Sequence, residues 1–433
     1  MGRLFLIAVR NLRQHAVRTA LLAIAIVSVT SLLVVLNSVG NGIQRTMLRA
    51  ATTLSTGHVN VAGFYKITSG QAAPMVVGYK PLIELVEKEV PEATVIVDRL
   101  RGWGKIVSVH NNMQLGIGGV DIDQETGFHD VLQILEGDIN ALKQPDTALI
   151  FAKQAESLEV GIGDVLTIST PTVRGAQNSE DVTVGAIAKD IGLISGFSIF
   201  VGKPTLRKIY LLDDRTTGAI QIYLDDVSKS SEVAERLRKA INAAGFETMD
   251  PLAEPFWRKF PLVTREDWTG QKIDVTTWED EMKFLTYTLD AFNSLTFTLG
   301  FILLLIIIGG VMNSMLMAVR ERTQEIGTLR AIGMGRRSVA LMILLEAAVL
   351  TGVSSILGAM TGAGIAALLN SAEIKVAEGF ELFLMRDTLQ LHVNVGGLVL
   401  TVLAITIPVT IFALYPALRA AWMRPVTAMQ HAG

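Results

Sequence analysis

Residues Met315 to Ala347 read MLMAVRERTQEIGTLRAIGMGRRSVALMILLEA. The stretch passes from apolar to densely charged and back to apolar. Arg320, Glu321, Arg322, Glu325, Arg330, Arg336 and Arg337 lie between two segments too apolar for water, with Gly327, Gly333 and Gly335 among them. The fold must hold a charged, helical-looking hinge between two candidate membrane spans.

Outward from this stretch, four runs reach the ~20 residues that cross a bilayer: roughly Ala20–Val39, Leu295–Val319, Ile343–Leu369 and Val395–Tyr415. None carries an Asp, Lys or Arg at its centre, where a charge costs several kcal/mol. Glu346 sits near the start of the third. The first run, preceded by Arg3, Arg10, Arg13 and Arg18, is longer than a signal-peptide core and has no A-x-A site, so it reads as a retained span. The expected fold is an α-helical membrane protein with four transmembrane helices and a large α+β domain inserted between the first and second. Half of the 433 residues are hydrophobic and 18% are charged, with a net charge of -3 and no cysteine. That balance points to no nucleic-acid partner. It also leaves no disulfide, thiolate or Cys-based zinc chemistry, so the inserted domain depends on its own core.

Basic residues near the span ends set the orientation. The N-terminal arginines, the hinge arginines, and Arg419 with Arg424 fall on one side. The other side receives about Gly40–Asp290 and the loop Asn370–Asn394, where Glu373, Glu378, Glu381 and Asp387 outnumber Lys375 and Arg386. Both termini and the hinge are therefore expected in the cytoplasm. The expected division is an elbow helix (1–18), a first span (19–39), the exported α+β domain (40–277) and a stalk with the second span (278–319). A cytoplasmic coupling helix (320–338), a third span (339–369), an exported loop (370–394), a fourth span (395–416) and a cytoplasmic C-terminus (417–433) follow.

Within the insert, HVNVA at His58, TVIV at Thr94, VLTIS at Val165, VTVGAI at Val182 and AIQIYL at Ala219 alternate as strands do. Pro81–Val90 and Ser230–Ala244 read as helices, with Pro81 in a first turn and Gly245 at a C-cap. AIQIYL, the Ser230 helix and FETM at Phe246 read as a β-α-β unit. Two α+β lobes are expected, with a boundary that the pattern does not mark. DIDQETG at Asp121 alternates acids as a calcium loop does, but Thr126 and Leu132 replace the required Gly and Glu. No zincin, G-x-S-x-G or Walker A motif is present, and the six histidines are scattered. No catalytic residue, metal ligand or cofactor site is assigned. PFWRKFPLVTREDW, within about Asp250–Asp274, mixes Phe256, Trp257, Phe260 and Trp268 with charge. It suits an interfacial or partner surface, or a loop folded back on the domain.

Trp278 to Val319 holds no proline. As one helix of about 42 residues it would be ~63 Å long, more than the ~30 Å hydrocarbon core. One end must then stand outside as a stalk. In the hinge, Ile326, Leu329 and Ile332 make an apolar stripe, Arg322 and Glu325 can pair at i,i+3, and Gly327 permits close approach. Gly333 and Gly335 turn the chain back. A solvated loop remains the alternative on these grounds alone.

VMNSMLMAVRERTQEIGTLRAIGM, followed by a Glu-containing span, resembles the permease signature of the FtsX-like/MacB-type ABC transporter family. NGIQRTMLRAATTLSTGHVNV, after span one, is similar to lipoprotein-release (Lol-type) permeases. GGVDIDQET, DTALIFAKQAESLEVGIGDVLTI and SIFVGKPTLRKIYLL resemble the family's periplasmic core domain, TWED at Thr277 its stalk start, and LYPALRAAWMRPVTAMQ its C-terminal signature. The resemblance covers most of the chain, and the hinge motif is its most specific part. It implies a non-catalytic inner-membrane permease that works as a dimer, with a second copy or a paralogue, beside a separate pair of ATPase subunits. Those subunits would use the ATP. Arg320, Glu321, Arg322, Glu325, Ile326, Gly327, Leu329, Arg330 and Gly333 would then belong to a coupling helix docked on the ATPase. Trp278, Glu279 and Leu289 would belong to a stalk that carries force, and Leu4–Val17 to an amphipathic elbow. Membrane lipids and a periplasmic chaperone or adaptor would be further partners. Lipoprotein release from the inner membrane is the leading reading. The alternatives are MacB-like efflux through an adaptor and outer-membrane channel, or FtsX-like control of cell-wall hydrolases. The aromatic segment at Asp250–Asp274 is longer than the family's usual link, so substrate does not transfer with the resemblance.

Overall fold

The computed structural model describes residues 2–14, 16–68, 70–192, 194–374 and 388–423, with backbone alone for 2–6 and 9. His15, Lys375, Glu378, Glu381, Arg386, Asp387, Arg424 and His431 lie outside the described residues. The chain forms two units, each considered by itself. One comprises residues 1–44, 289–375 and 388–433, the other residues 45–288 and 376–387.

Four described helices are long and apolar enough to cross a membrane: Ala16–Thr56, Lys283–Glu321, Arg336–Ser371 and Val395–Ala421. The third is the most buried of them, and small residues explain why. A Cβ on Gly358 would lie 2.6 Å from Thr30 Cβ and 2.8 Å from Val27 O; one on Gly362 would lie 2.8 Å from Ser31 O. This GxxxG face lets the backbones of the first and third spans touch, which replaces the hydrophobic drive that is missing between helices in lipid. The hydroxyls of Thr30, Ser38 and Thr351 donate to carbonyls one turn back, so they enter the interface satisfied. Ile26, Val311, Met315, Ile343, Leu350, Ile405 and Val409 form the unit's core, joined by Ile326 from the hinge.

Among the described residues, the α+β unit has thirteen strands: β1 (Val59–Thr68), β2 (Gln71–Ala73), β3 (Val76–Val77), β4 (Ala93–Val107), β5 (Asn112–Val120), β6 (Ile134–Gly137), β7 (Thr147–Phe151), β8 (Val165–Pro171), β9 (Gln177–Ala188), β10 (Ser198–Gly202), β11 (Thr216–Thr217), β12 (Ala219–Leu224) and β13 (Gly270–Thr277). The main sheet runs β13-β1-β12-β4-β5-β10-β7-β9-β6. β8 bonds to both β4 and β9. The strands β4-β5-β10-β7-β9-β8 therefore close into a ring, filled by Leu100, Ile106, Leu115, Ile117, Ile150, Ile168, Val184 and Ile199. The other lobe is the antiparallel β13-β1-β12-β4 sheet. Strand alternation puts Val59, Val61, Ile220, Ile222, Ile273 and Val275 on one face. Helices Lys80–Glu89 and Ser230–Ala243 cover that face with Leu82, Val86, Val233, Leu237 and Ile241. Full burial of such a side chain stabilises by about 1.5–3 kcal/mol.

The lobe boundary lies inside one strand. β4 pairs with β12 up to Arg99 and with β5 from Leu100 onward. No turn residue marks the change, so hydrophobic pattern alone does not reveal it.

Two expectations need correction. FETM does not form the closing strand of a β-α-β unit. Gly245, at φ +88, ends the Ser230 helix with Phe246 N donating to Ile241 O, and the chain then makes a single bridge, Thr248 to Ile273. Nor is Trp278–Val319 one helix. Trp278–Glu281 is a short helix capped at Met282 (φ -113, ψ 35), and the long helix begins at Lys283. A capping box built on Thr277 and Asp280 closes the short helix's first turn, but the helix stops within four residues.

Candidate coupling site

The hinge folds as a helix, Thr323–Ala331, narrower than the expected 320–338. Arg322, at φ -101 and ψ 21, breaks it from the span before it. Gly333, at φ +107, takes the left-handed turn after it, a conformation that costs a glycine little.

Arg322 does not pair with Glu325 on an outer face. It is buried, with Nη1 3.3 Å and 3.4 Å from the two Glu346 oxygens and Nη2 donating to Asn11 O at 3.0 Å. One guanidinium thus gathers the hinge, the third span and the N-terminal helix Gly2–Gln14. The physical reason is Glu346: an acid in an apolar span needs a cation, and among the described residues Arg322 supplies one. A small cavity of about 60 Å³ beside this pair is lined by Ile7, Asn11, Glu325, Ile326 and Leu329 among others.

The remaining expected residues divide by side. Ile326 and Gly327 are buried and Leu329 is half-buried, so the close approach that Gly327 permits is made by this chain's own packing. The apolar stripe therefore faces inward except at Ile332, which is 80% exposed. Glu321 pairs with Arg18 at 2.8 Å, Arg330 donates to Met423 O, and Arg336 lies over the Trp422 ring. Arg320, Gln324, Glu325, Thr328, Ile332 and Gly333 are exposed. At helical spacing, Gln324, Glu325, Thr328 and Ile332 form one open face. In the stalk, Trp278 and Leu289 are buried and Glu279 is exposed.

The inward role of Arg322 was the part that sequence reasoning missed. Its signal was present: Glu346 is an acid in an apolar run, within one helical hairpin of a cluster of arginines.

The sequence profile of a MacB-like periplasmic core domain matches residues 19–240, a little over half of the 433-residue chain. That of the FtsX-like permease C-terminal domain matches residues 297–425. The chain belongs to the MacB/FtsX-type family of ABC transporter permeases. The four described helices that are long and apolar enough to cross a membrane, together with the periplasmic-core-type domain, fit a membrane protein with a domain of the periplasmic type. The uncharacterized ABC transporter permease YvrN of Bacillus subtilis is 38% identical over 122 residues, 28% of this chain and 26% of that protein. The macrolide export ATP-binding/permease protein MacB of Bdellovibrio bacteriovorus is 25% identical over 229 residues, 53% of this chain and 30% of that one. The pyoverdine export ATP-binding/permease protein PvdT of Pseudomonas fluorescens Pf0-1 is 37% identical over 142 residues, 32% and 19% of the two. The matched stretches span less than a third of each of these relatives. The periplasmic region of MacB from Actinobacillus actinomycetemcomitans is similar at 9% identity and a TM-score of 0.29, over 53% of this chain and 94% of that one, a likeness too slight to carry weight.

Proposed function

We propose that this chain is the permease of an exporter that does mechanical work outside an inner membrane, driven by a separate ATPase docked on the hinge helix. Both termini and the hinge lie in the cytoplasm and the α+β domain lies in the periplasm, as the arginine distribution supports. Two copies, or one copy and a paralogue, form the working unit.

The observation that carries this reading is the two-sidedness of Thr323–Ala331. One side is tied to the rest of the unit through Arg322, Ile326 and Arg330. The other side, Gln324, Glu325, Thr328 and Ile332, is open. An apolar Ile332 at the end of a polar face suits a groove on a partner.

MacB-like export is the better-supported substrate reading, because two of the named relatives are export proteins. Lipoprotein release is the second reading, favoured by the Lol-like stretch Asn41–Val61. Identifying the cargo bound to the purified complex separates them: acylated protein supports release, and a small molecule or soluble protein supports export.

The docking test is Thr328→Arg with Ile332→Asp. Both positions are exposed, so the chain should still insert, while co-purification with the ATPase and stimulated ATP turnover are lost. If both persist, the ATPase does not dock on this face. A reporter at Asn178 that reads cytoplasmic would overturn the orientation.

A further inference from the structure

Two connectors lead into the α+β unit. Thr52–Thr56 is a single π-helical turn that finishes the first long helix, and Trp278–Glu281 is the short helix before the long helix Lys283–Glu321. Both meet the polar face of the β13-β1-β12-β4 sheet, the side opposite its apolar core.

A helix end leaves carbonyls without partners. At the first connector, side chains of the sheet reach these carbonyls, that of Thr52 accepting from Gly57 N at 2.7 Å as well. Arg99 Nη2 donates to Thr53 O at 2.8 Å, Gln221 Nε2 to Ser55 O at 2.9 Å and the Tyr223 hydroxyl to Thr52 O at 3.1 Å. Arg99 is buried and paired with Glu125, which the DIDQETG turn delivers. A buried cation also suits the negative end of a helix.

Arg101 lies two residues further along β4, on the same face by strand alternation. It serves the other connector. Its Nη1 is 4.0 Å from Glu281, its Nη2 donates to Asn60 Oδ1 at 3.3 Å, and its guanidinium lies 4.9 Å over the Phe256 ring. Glu281 in turn accepts from the Thr276 hydroxyl at 2.9 Å and from Phe256 N at 3.3 Å. Burial works against the charge of Arg101, and the Glu281 carboxylate opposes that effect.

We propose that Arg99 and Arg101 form a two-pronged clamp that fixes the ends of both connectors to one strand, so that the two move as a single body. The strand is the one that both lobes share. Arg99 is the last β4 residue paired to β12, and Leu100 the first paired to β5. A displacement of either connector therefore arrives where the lobes join. The purpose of the clamp rests on the mechanical reading above; its existence does not.

The experiment uses the full chain, which has no native cysteine. Spin labels on cysteines at the exposed positions Arg45 and Glu279 report the separation of the connectors, and labels at Lys88 and Lys239 report the lobe itself. Two variants remove a buried charge together with its partner, Arg99→Met/Glu125→Leu and Arg101→Met/Glu281→Leu, which leaves no orphaned ion. In the unaltered chain the Arg45–Glu279 distance distribution should be narrow. Each double variant should at least double its width while the Lys88–Lys239 distribution stays unchanged. An unchanged connector distribution in both variants overturns the proposal. Equal broadening of both label pairs overturns it too, because the arginines would then hold the lobe together rather than the connectors. No nucleotide or cargo is needed, so the result is independent of the transport reading.

Discussion

Removing Glu346 should release the hinge helix, and removing Arg322 with it should restore most of the hold. The two side chains are 10% and 8% exposed and 3.3 Å apart at the shorter contact. Breaking a buried ion pair by deleting one partner typically costs about 3–5 kcal/mol, because the other charge is stranded. The contacts here are longer than the ~2.7–2.9 Å of a strong charge-assisted bond, so the low end, about 3 kcal/mol, applies. That corresponds to a shift of roughly 100-fold or more in any equilibrium between held and released hinge. Replacing both residues, as Arg322→Met/Glu346→Leu, removes both charges and should cost little, leaving a coupling energy of about 3 kcal/mol. Tryptic cleavage reads this directly, since Arg320, Arg330, Arg336 and Arg337 remain as sites in every variant. When opening is fast relative to cleavage, the rate tracks the open population. Glu346→Leu should speed cleavage roughly 100-fold, and the double variant should return to within about tenfold of the starting rate. Additive effects of the two changes would refute the idea that the pair holds the hinge.

Three further outcomes are expected. Gly358→Val should destabilise the membrane unit by about 1–3 kcal/mol or more, because its Cβ meets Val27 O and Thr30 Cβ below 3 Å; an unchanged denaturation midpoint in detergent would contradict the close-packed first and third spans. His58 has a depressed pKa, chiefly from burial, and its Nδ1 accepts from Leu224 N. The unfolded chain therefore takes up the proton first as pH falls below the ordinary 6.5, and the stability from this group is lost down through its lower folded value. Thermal unfolding of the purified chain should show that loss, and His58→Asn should remove it. Leu289→Pro deletes a donor inside the long helix and clashes one turn back, at a local cost of about 3 kcal/mol or more. Export should fall while ATP hydrolysis continues; full export by this variant would mean that force does not travel along the helix.

The apolar runs made the spans legible, because a bilayer demands length and apolarity and little else. The strands at His58, Thr94, Val165, Val182 and Ala219 were legible through their alternation. What stayed hidden was set by long-range pairing. β4 changes partner between Arg99 and Leu100 without a break in its own conformation, so no local signal exists. Arg322 read as a surface charge because helical spacing placed Glu325 nearby, while the competing acid lies 24 residues away in a different helix. The DIDQETG turn looked like a failed calcium loop, yet its Glu125 meets Arg99 from 26 residues along the chain. The aromatic segment hid its anchors for the same reason. Lys259 is buried on Asp274 at 2.7 Å, and Val263 is buried as well, so the helix Phe256–Arg265 lies on the sheet with Trp257 left exposed.

The long helix Lys283–Glu321, about 58 Å over its 39 residues, is bounded by Met282 and Arg322, two positions where helical geometry fails. A buried charge stands at each break: Glu281 beside Arg101 at one end, and Arg322 on Glu346 at the other. The choice of charge has a physical consequence. Within a bilayer, apolar side chains slide past one another at little cost, because lipid replaces each lost contact. A buried ion pair has no such substitute; it is either made or broken. Fixing both ends by charge gives the helix a defined start and a defined finish, which an apolar rod in lipid lacks. On the mechanical reading proposed above, fixed ends of this kind are what a helix needs if axial displacement at one end is to appear at the other. The reasoning fails if stranding one charge at each end, by Glu346→Leu and by Glu281→Leu alone, leaves that end of the helix as well fixed as before.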